Sequence, residues 1–257
     1  MDDMTSEPII VVRDLSAIFP NGNGGLRALD RISFEILPQE FVCVLGPSGG
    51  GKSTLLRILA GLLNVSSGEA YYQDAPIDSP QREVGFVFQN ANLMPWRTVV
   101  ENIMLPLEIA RIRKSKARKI AQEMVELVGL QGFEDTLPRD LSGGMAQRVA
   151  IGRALVHDPE VLLLDEPFGA LDALTRERMG LELLRIWAAR RKTVVMVTHS
   201  VTEALFLADR VLVLSARPGK IRLDVRVDLP RPRKEAIRYT QQFGEKARII
   251  RANIGEN

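Results

Sequence analysis

The stretch "FVCVLGPSGGGKST", residues 41–54, runs from five apolar residues into a glycine-rich turn and then into a lysine and two hydroxyls. Such a run reads as a buried strand that ends in a tight loop. The following "STLLRILAGLL" has helical spacing, expected from about Ser53 to Leu62. A strand, the pattern G-x-x-x-x-G-K-[ST] and a helix together make a phosphate cradle. Its backbone curls so that successive N–H groups face phosphate oxygens. Gly46, Pro47, Ser48, Gly49, Gly50, Gly51, Lys52, Ser53 and Thr54 compose it. Lys52 is placed to reach the terminal phosphates and the Ser53 hydroxyl to ligate Mg²⁺. The positive end of the helix dipole lies behind both.

Working outward, "VGFVF" (84–88), "VLLLD" (161–165), "TVVMVT" (193–198) and "RVLVL" (210–214) are further apolar runs. The later ones are continuous rather than alternating, the mark of a sheet covered on both faces. Strands separated by helices give a parallel α/β sheet. From about residue 90 to 157 the pattern is helical, punctuated by Pro95, Pro106 and Pro138, and reads as an inserted subdomain. Two earlier runs, "PIIVVRDL" (8–15) and "RISFEIL" (31–37), are β-rich.

Ligands of open α/β sheets bind beyond the carboxyl ends of the strands. That rule nominates the residues that close the other runs. Asp165 ends four apolar residues, a poor place for a surface charge, and can serve Mg²⁺ directly or through water. Glu166 follows and is suited to polarise an attacking water. His199 closes "VVMVTHS", and Gln89 closes "VGFVFQN" as a neutral group able to touch both metal and water. Taken singly, a histidine or glutamine after a strand is an ordinary core or loop residue. Three such ends beside one P-loop favour a functional reading. His157 is read instead as a polar or cationic group suited to the end of the helix that starts at Gly143.

Composition agrees with a soluble globular chain: 46% of the 257 residues are apolar and 26% charged. With 34 basic and 32 acidic residues the net charge is +2, so no nucleic-acid partner is expected. The single cysteine, Cys43, excludes an internal disulfide and reads as a small buried hydrophobe. No stretch approaches the roughly 20 apolar residues that span a bilayer. The acidic start of the chain does not read as a signal peptide.

A second seat for an anion follows the first. In "LSGGMAQR" (141–148) a serine caps a helix whose first residues are glycines. The motifs "GPSGGGKST", "FQN", "LSGGMAQR", "LLLDEP", "GALD" and "VTHS", in this order, resemble the nucleotide-binding subunit of ATP-binding-cassette transporters over about Ile9 to Leu214. The resemblance implies a P-loop NTPase (RecA-like) core with a mostly parallel sheet, an N-terminal antiparallel β subdomain and an inserted α-helical subdomain. Its implied boundaries are 9–89 and 158–225 for the core, 90–157 for the helical part and 226–257 for a C-terminal extension. It implies ATP hydrolysis with Mg²⁺, held by Ser53, Gln89 and Asp165, with Glu166, His199 and Gln89 catalytic. It further implies that two subunits, expected to be identical, pair head to tail. Ser142, Gly143 and Gly144 of one then close over the nucleotide of the other, with Asp172 at the same seam. Phe19, in the loop "IFPNGNGG", would stack on adenine, where the family often has tyrosine. Gly50 departs from the cysteine or serine of many relatives; backbone amides do the work there, so no loss of function is expected.

The cluster from Leu93 to Trp96 lies where the family receives a coupling helix from its membrane-spanning permease. Trp96 is either that aromatic anchor or a residue that packs between the core and the helical subdomain. "LMPWRTVVENI" with the tail "VDLPRPR" resembles the ATPases of nitrate, sulfonate and taurine importers. This implies uptake of a small anion, contact with a solute-binding protein only indirectly, and a peripheral place on the cytoplasmic face of the plasma membrane. The basic run 111–119 is a solvated helix face or a contact with acidic lipid. An exporter ATPase, another small-molecule importer and a non-catalytic nucleotide-gated module are the rival functions. The short interval from Lys52 to Asp165 leaves no room for the long coiled coil of chromosome-type cassettes, and a single cassette disfavours the translation-associated type.

Overall fold

The computed structural model describes residues 7–20 and 25–254. In chain order these form β1 (Ile10–Phe19), β2 (Leu26–Ile36), β3 (Phe41–Leu45), α1 (Lys52–Leu59), β4 (Ser67–Tyr72) and β5 (Ala75–Pro76). There follow β6 (Val84–Val87), α2 (Val99–Ile109), α3 (Lys114–Leu127), α4 (Gly143–Leu155), β7 (Val161–Asp165) and α5 (Ala173–Arg190). The chain ends with β8 (Thr193–Thr198), α6 (Val201–Leu207), β9 (Arg210–Leu214), β10 (Ile221–Arg226) and α7 (Gln241–Ile254). It divides into two compact units, Met1–Gln81 with Thr193–Asn257, and Arg82–Lys192.

The first unit holds two kinds of sheet. β1 pairs antiparallel with β2 and β4, and β5 extends β4, which is the antiparallel β subdomain expected. β3 lies between β8 and β9, parallel to both, and β10 adds antiparallel to β9. Every residue of β3 and β8 is buried, as continuous apolar runs require. Leu45 is level with Thr198 in the β3–β8 register. The P-loop and His199 therefore leave adjacent strands at one edge. Cys43 is wholly buried, and loss of water pushes its thiol pKa well up, so it is inert packing.

Asp209 ties this unit together. Its N–H donates to the Phe41 carbonyl at 2.7 Å, and its Oδ2 accepts from the Phe41 N–H at 3.0 Å. Its Oδ1 accepts from Arg231 Nε at 2.7 Å. Arg233, 5% exposed, donates through Nη1 to the carbonyls of Leu205, Phe206 and Ala208, the orphan acceptors at the end of α6. Burial, and then the charge of Arg231, push its pKa down to about 10. The tail "VDLPRPR" is thus a cap for a helix, a role invisible in its composition.

In the second unit β6 pairs parallel to β7, with Val87 level with Leu164. Gln89 and Asp165 accordingly emerge at the same edge. α2 opens on a capping box in which Thr98 Oγ1 accepts from the Glu101 N–H and Glu101 Oε2 from the Thr98 N–H. α2, α3 and α4 pack through Ile103, Met104, Ala121, Met124 and Val149. The segment 111–119 is exposed except for Ile112 and Ala117.

Three expectations need correction. α1 begins at Lys52 and stops at Leu59 rather than running to Leu62, because the chain turns at Gly61 with φ +67°. The helical region starts at Val99; residues 90–98 form a loop. Phe19 closes β1, paired with Leu26, instead of lying in a loop. The remainder of that loop, 21–24, lies outside the described residues.

Candidate nucleotide site

In the first unit the P-loop follows β3 as expected. Gly51 has φ +84°, and a side chain there would stand 2.7 Å from the Ala28 carbonyl, so only glycine fits. It caps α1 without a side-chain bond, and no acid occupies the first turn, which leaves the helix N-terminus fit for an anion. Lys52 is 5% exposed and folds back so that Nζ donates to the carbonyls of Gly46 and Pro47, at 3.0 and 2.9 Å. Its charge thus sits inside the cradle. At the neighbouring strand end, Thr198 Oγ1 donates to Glu203 Oε2 at 2.6 Å and accepts from the Ser200 N–H at 3.0 Å. Ser200 caps α6 through the Glu203 N–H at 3.3 Å. His199 lies exposed in the middle of this fixed turn. Phe19 presents an exposed ring at the end of β1.

In the second unit Asp165 is buried at the end of β7. Glu166 takes the left-handed conformation, φ +42°, which costs of order 1–3 kcal/mol for a residue with a side chain. That strain aims the residue away from the strand line, and the Gly169 N–H donates to its carbonyl at 3.0 Å. A methyl group placed on Gly169 would lie 3.5 Å from Glu166 Oε2 and 3.6 Å from Gln89 Nε2. Gln89 and Glu166 therefore converge on one point. The donor set that the sequence assigns to Mg²⁺ is a hydroxyl, a carboxylate and an amide oxygen, all hard ligands. Among the described residues no group of three or more His, Cys, Asp or Glu could hold a metal. A single carboxylate that shares its cation with phosphates and water is the coordination habit of Mg²⁺, and the chemistry of Asp165 and Gln89 at their common strand edge fits it.

The same unit carries the second anion seat. Ser142 caps α4, its Oγ accepting from the Met145 N–H at 3.3 Å. Asp172 caps α5 by accepting from the Thr175 N–H at 3.0 Å, and its bonds to Thr175 hold its carboxyl below the usual range. The two caps adjoin. The Cβ position of Gly143 lies 3.3 Å from Leu171, and that of Gly144 lies 3.1 Å from Thr175. Ser142, Gly143 and Asp172 are all exposed.

Sequence reading missed two groups that shape the loop after Gln89. Asn102 is fully buried; its side chain accepts from the Met94 N–H and donates to the carbonyls of Met94, Arg97 and Thr98. Arg153 of α4 donates to the carbonyls of Ala91 and Asn92, at 2.7 and 2.8 Å. Within this pinned loop Trp96 is 73% exposed, so it is not the packing residue of the alternative reading. At His157, burial and then the charge of Arg82 lower the pKa, which favours the neutral ring.

A family profile described as ABC transporter matches residues 29–169. The chain belongs to the ABC transporter family. It is an ATP-binding cassette of the ATPase type and a transporter subunit. An aliphatic sulfonates import ATP-binding protein of Bacillus cereus is 44% identical over 237 residues, 92% of this chain and 93% of that one. An uncharacterized ABC transporter ATP-binding protein of Methanocaldococcus jannaschii is 50% identical over 222 residues, 86% and 83% of the two chains. Among solved structures, a dimeric cassette in a post-hydrolysis state with ADP and Pi superposes with TM-score 0.76 at 32% identity, covering 86% of this chain and all of that one. CbiO1 of Clostridium perfringens, part of a cbiONQ transporter complex, gives 0.78 at 26% identity over 96% and 95%. No described helix of the cassette is long and apolar enough to cross a membrane.

Proposed function

We propose that the cassette is the ATP-hydrolysing subunit of an importer for small organic anions of the sulfonate type, and that it works as a pair of copies. The observation that carries this is the exposed signature surface, Ser142, Gly143 and Asp172, which offers a capped helix N-terminus whose nearest cation in the motif, Arg148, is turned to the Gly129 carbonyl. In a head-to-tail pair that surface closes on the γ-phosphate held by the P-loop of the other copy. Lys52 and the loop amides bind the phosphate chain, and Phe19 stacks on the adenine. Ser53, Asp165 and Gln89 would hold Mg²⁺, which neutralises charge on the β- and γ-phosphates. Glu166 takes a proton from, or orients, the attacking water. His199 steadies the γ-phosphate from its fixed turn. Closure of the pair moves a permease docked at Leu93 to Trp96; hydrolysis removes the shared phosphate and opens the pair. On this reading the cassette works at the cytoplasmic face of the membrane. The solute class follows the sulfonate-import relative, which this chain matches over nearly its whole length.

Two measurements test the reading. Sedimentation of the Glu166→Gln variant with ATP is expected to give a dimer; a monomer at saturating ATP rejects pairing. Purification from native membranes is expected to recover a spanning chain and a sulfonate-binding protein. Recovery with a binding protein for another solute class rejects the solute and leaves the ATPase reading standing.

A further inference from the structure

The turn between β9 and β10, "SARPGK" (215–220), lies against the P-loop, and no motif considered above accounts for it. It is a stiff element. The Ser215 N–H donates to the Lys220 carbonyl at 2.9 Å, and the Lys220 N–H to Ser215 Oγ at 3.0 Å. It is stapled to β2 as well: the Gly219 N–H donates to the Ala28 carbonyl at 2.9 Å, the Asp30 N–H to the Gly219 carbonyl at 3.0 Å, and Lys220 Nζ pairs with Asp30 Oδ2 at 3.0 Å. From this anchored turn Arg217 reaches the P-loop, its Nε donating to the Gly49 carbonyl at 3.2 Å. Arg217 Nη2 stands 3.0 Å from where a Cβ on Gly49 would be. The Ser215 carbonyl lies 2.8 Å from the corresponding position on Gly50. The turn thus occupies the room that side chains would need at both glycines. This gives a cause for Gly50, where the resemblance leads one to expect cysteine or serine.

We propose that Arg217 is a positioning residue of the nucleotide site, bracing the outer wall of the P-loop so that the amides of Gly49 to Gly51 stay turned towards phosphate. A loop with four glycines in six positions, Gly46 to Gly51, loses much conformational freedom when it closes on a ligand. A brace that holds the bound shape beforehand removes part of that cost and appears as affinity. The bond goes to a backbone carbonyl of the loop, so Arg217 acts through the loop rather than on the nucleotide. Its guanidinium adds a nearby positive charge, which strengthens the preference for longer phosphate chains.

This rests on the P-loop being the ATP site, and the experiment separates the two. Binding of MgATP, MgADP and adenosine is titrated for the full chain, Arg217→Ala, Arg217→Lys and Lys52→Ala, with steady-state ATPase and melting temperature measured alongside. Arg217→Ala is expected to raise Kd and KM for MgATP roughly 3- to 10-fold, to leave adenosine binding and saturating kcat within about twofold, and to be partly rescued by Arg217→Lys, which keeps a donor and the charge. Unchanged MgATP affinity in a folded Arg217→Ala chain overturns the brace, as does a loss shared equally by adenosine, or a fall in kcat with KM unchanged. Should Arg217→Ala melt early, Arg217→Met, which keeps the aliphatic stem and removes both donor and charge, takes its place, and unchanged MgATP affinity in that folded chain overturns the brace. If Lys52→Ala binds MgATP as the unaltered chain does, the P-loop reading itself fails.

Discussion

The P-loop and the signature segment both aim a glycine-rich helix N-terminus at an anion, yet they are built to different strengths. The P-loop holds a buried lysine, and β2 and the 215–220 turn pack it from behind. The signature has an exposed serine cap and two glycines, and its own cation, Arg148, is spent on the carbonyls of Val128 and Gly129. A helix dipole alone contributes about 0.3–1 kcal/mol to an exposed anion, whereas hydrogen bonds to charged groups contribute about 1.5–3 kcal/mol each. On these magnitudes the P-loop is the stronger seat for an anion and the signature the weaker.

The sharpest way to break this contrast removes the reacting group and leaves both cradles. Glu166→Gln is expected to slow turnover by roughly 10²- to 10⁴-fold with ATP binding intact. A phosphate-release assay that finds the ordinary rate would detach Glu166 from the chemistry. Next, Lys52→Ala takes the charge out of the strong cradle, and nucleotide affinity should fall roughly ten- to hundredfold by calorimetry. At the weak seat, Ser142→Ala should lower stability by about 1 kcal/mol through the lost cap. It should also slow turnover several-fold while ATP affinity at low protein concentration stays put. Equal losses of affinity at Lys52 and Ser142 would erase the distinction drawn here. Away from both cradles, Trp96→Ala should change stability by no more than about 0.5 kcal/mol, since the ring is solvated. Recovery of the permease on the purified cassette should nonetheless drop.

The smallest effect is a pH slope. The folded chain depresses the His157 pKa, so it prefers the neutral ring that the unfolded chain protonates first. Stability from this group is therefore present above the unfolded value, about 6.5, and is lost as pH falls through the folded one. Melting temperatures between roughly pH 7.5 and 5 should decline less steeply in His157→Leu than in the unaltered chain.

Much of this contrast was readable in the sequence, because strand ends and glycine patterns carry local causes. Asp165, Glu166 and His199 each follow an apolar run and lie at a strand end, and Lys52 opens α1 beyond the loop that leaves β3. β4 escaped notice because "SGEAYY" opens on exposed polar residues and a glycine, and β10 because only alternate residues of "IRLDVR" are partly covered. Residues whose purpose lies at long range were illegible in principle. Arg153 looks like an ordinary helix residue until its bonds to Ala91 and Asn92, 62 and 61 positions away, are drawn. Arg217 resembles a turn residue until its contact with Gly49 is seen. No periodicity encodes a contact between residues more than 160 positions apart. The roles assigned to the signature in trans also lie outside what one copy displays.

The bonds from Arg231 and Arg233 to the end of α6 and to Asp209 have a practical corollary for anyone who trims or fuses the carboxyl end. Deleting everything after Arg226 would strip two guanidinium groups from the helix that begins just past His199 and would leave Asp209 short of a counter-ion. A shortened protein should therefore become sluggish and fragile, although every motif by which such enzymes are recognised would still be spelled out in full.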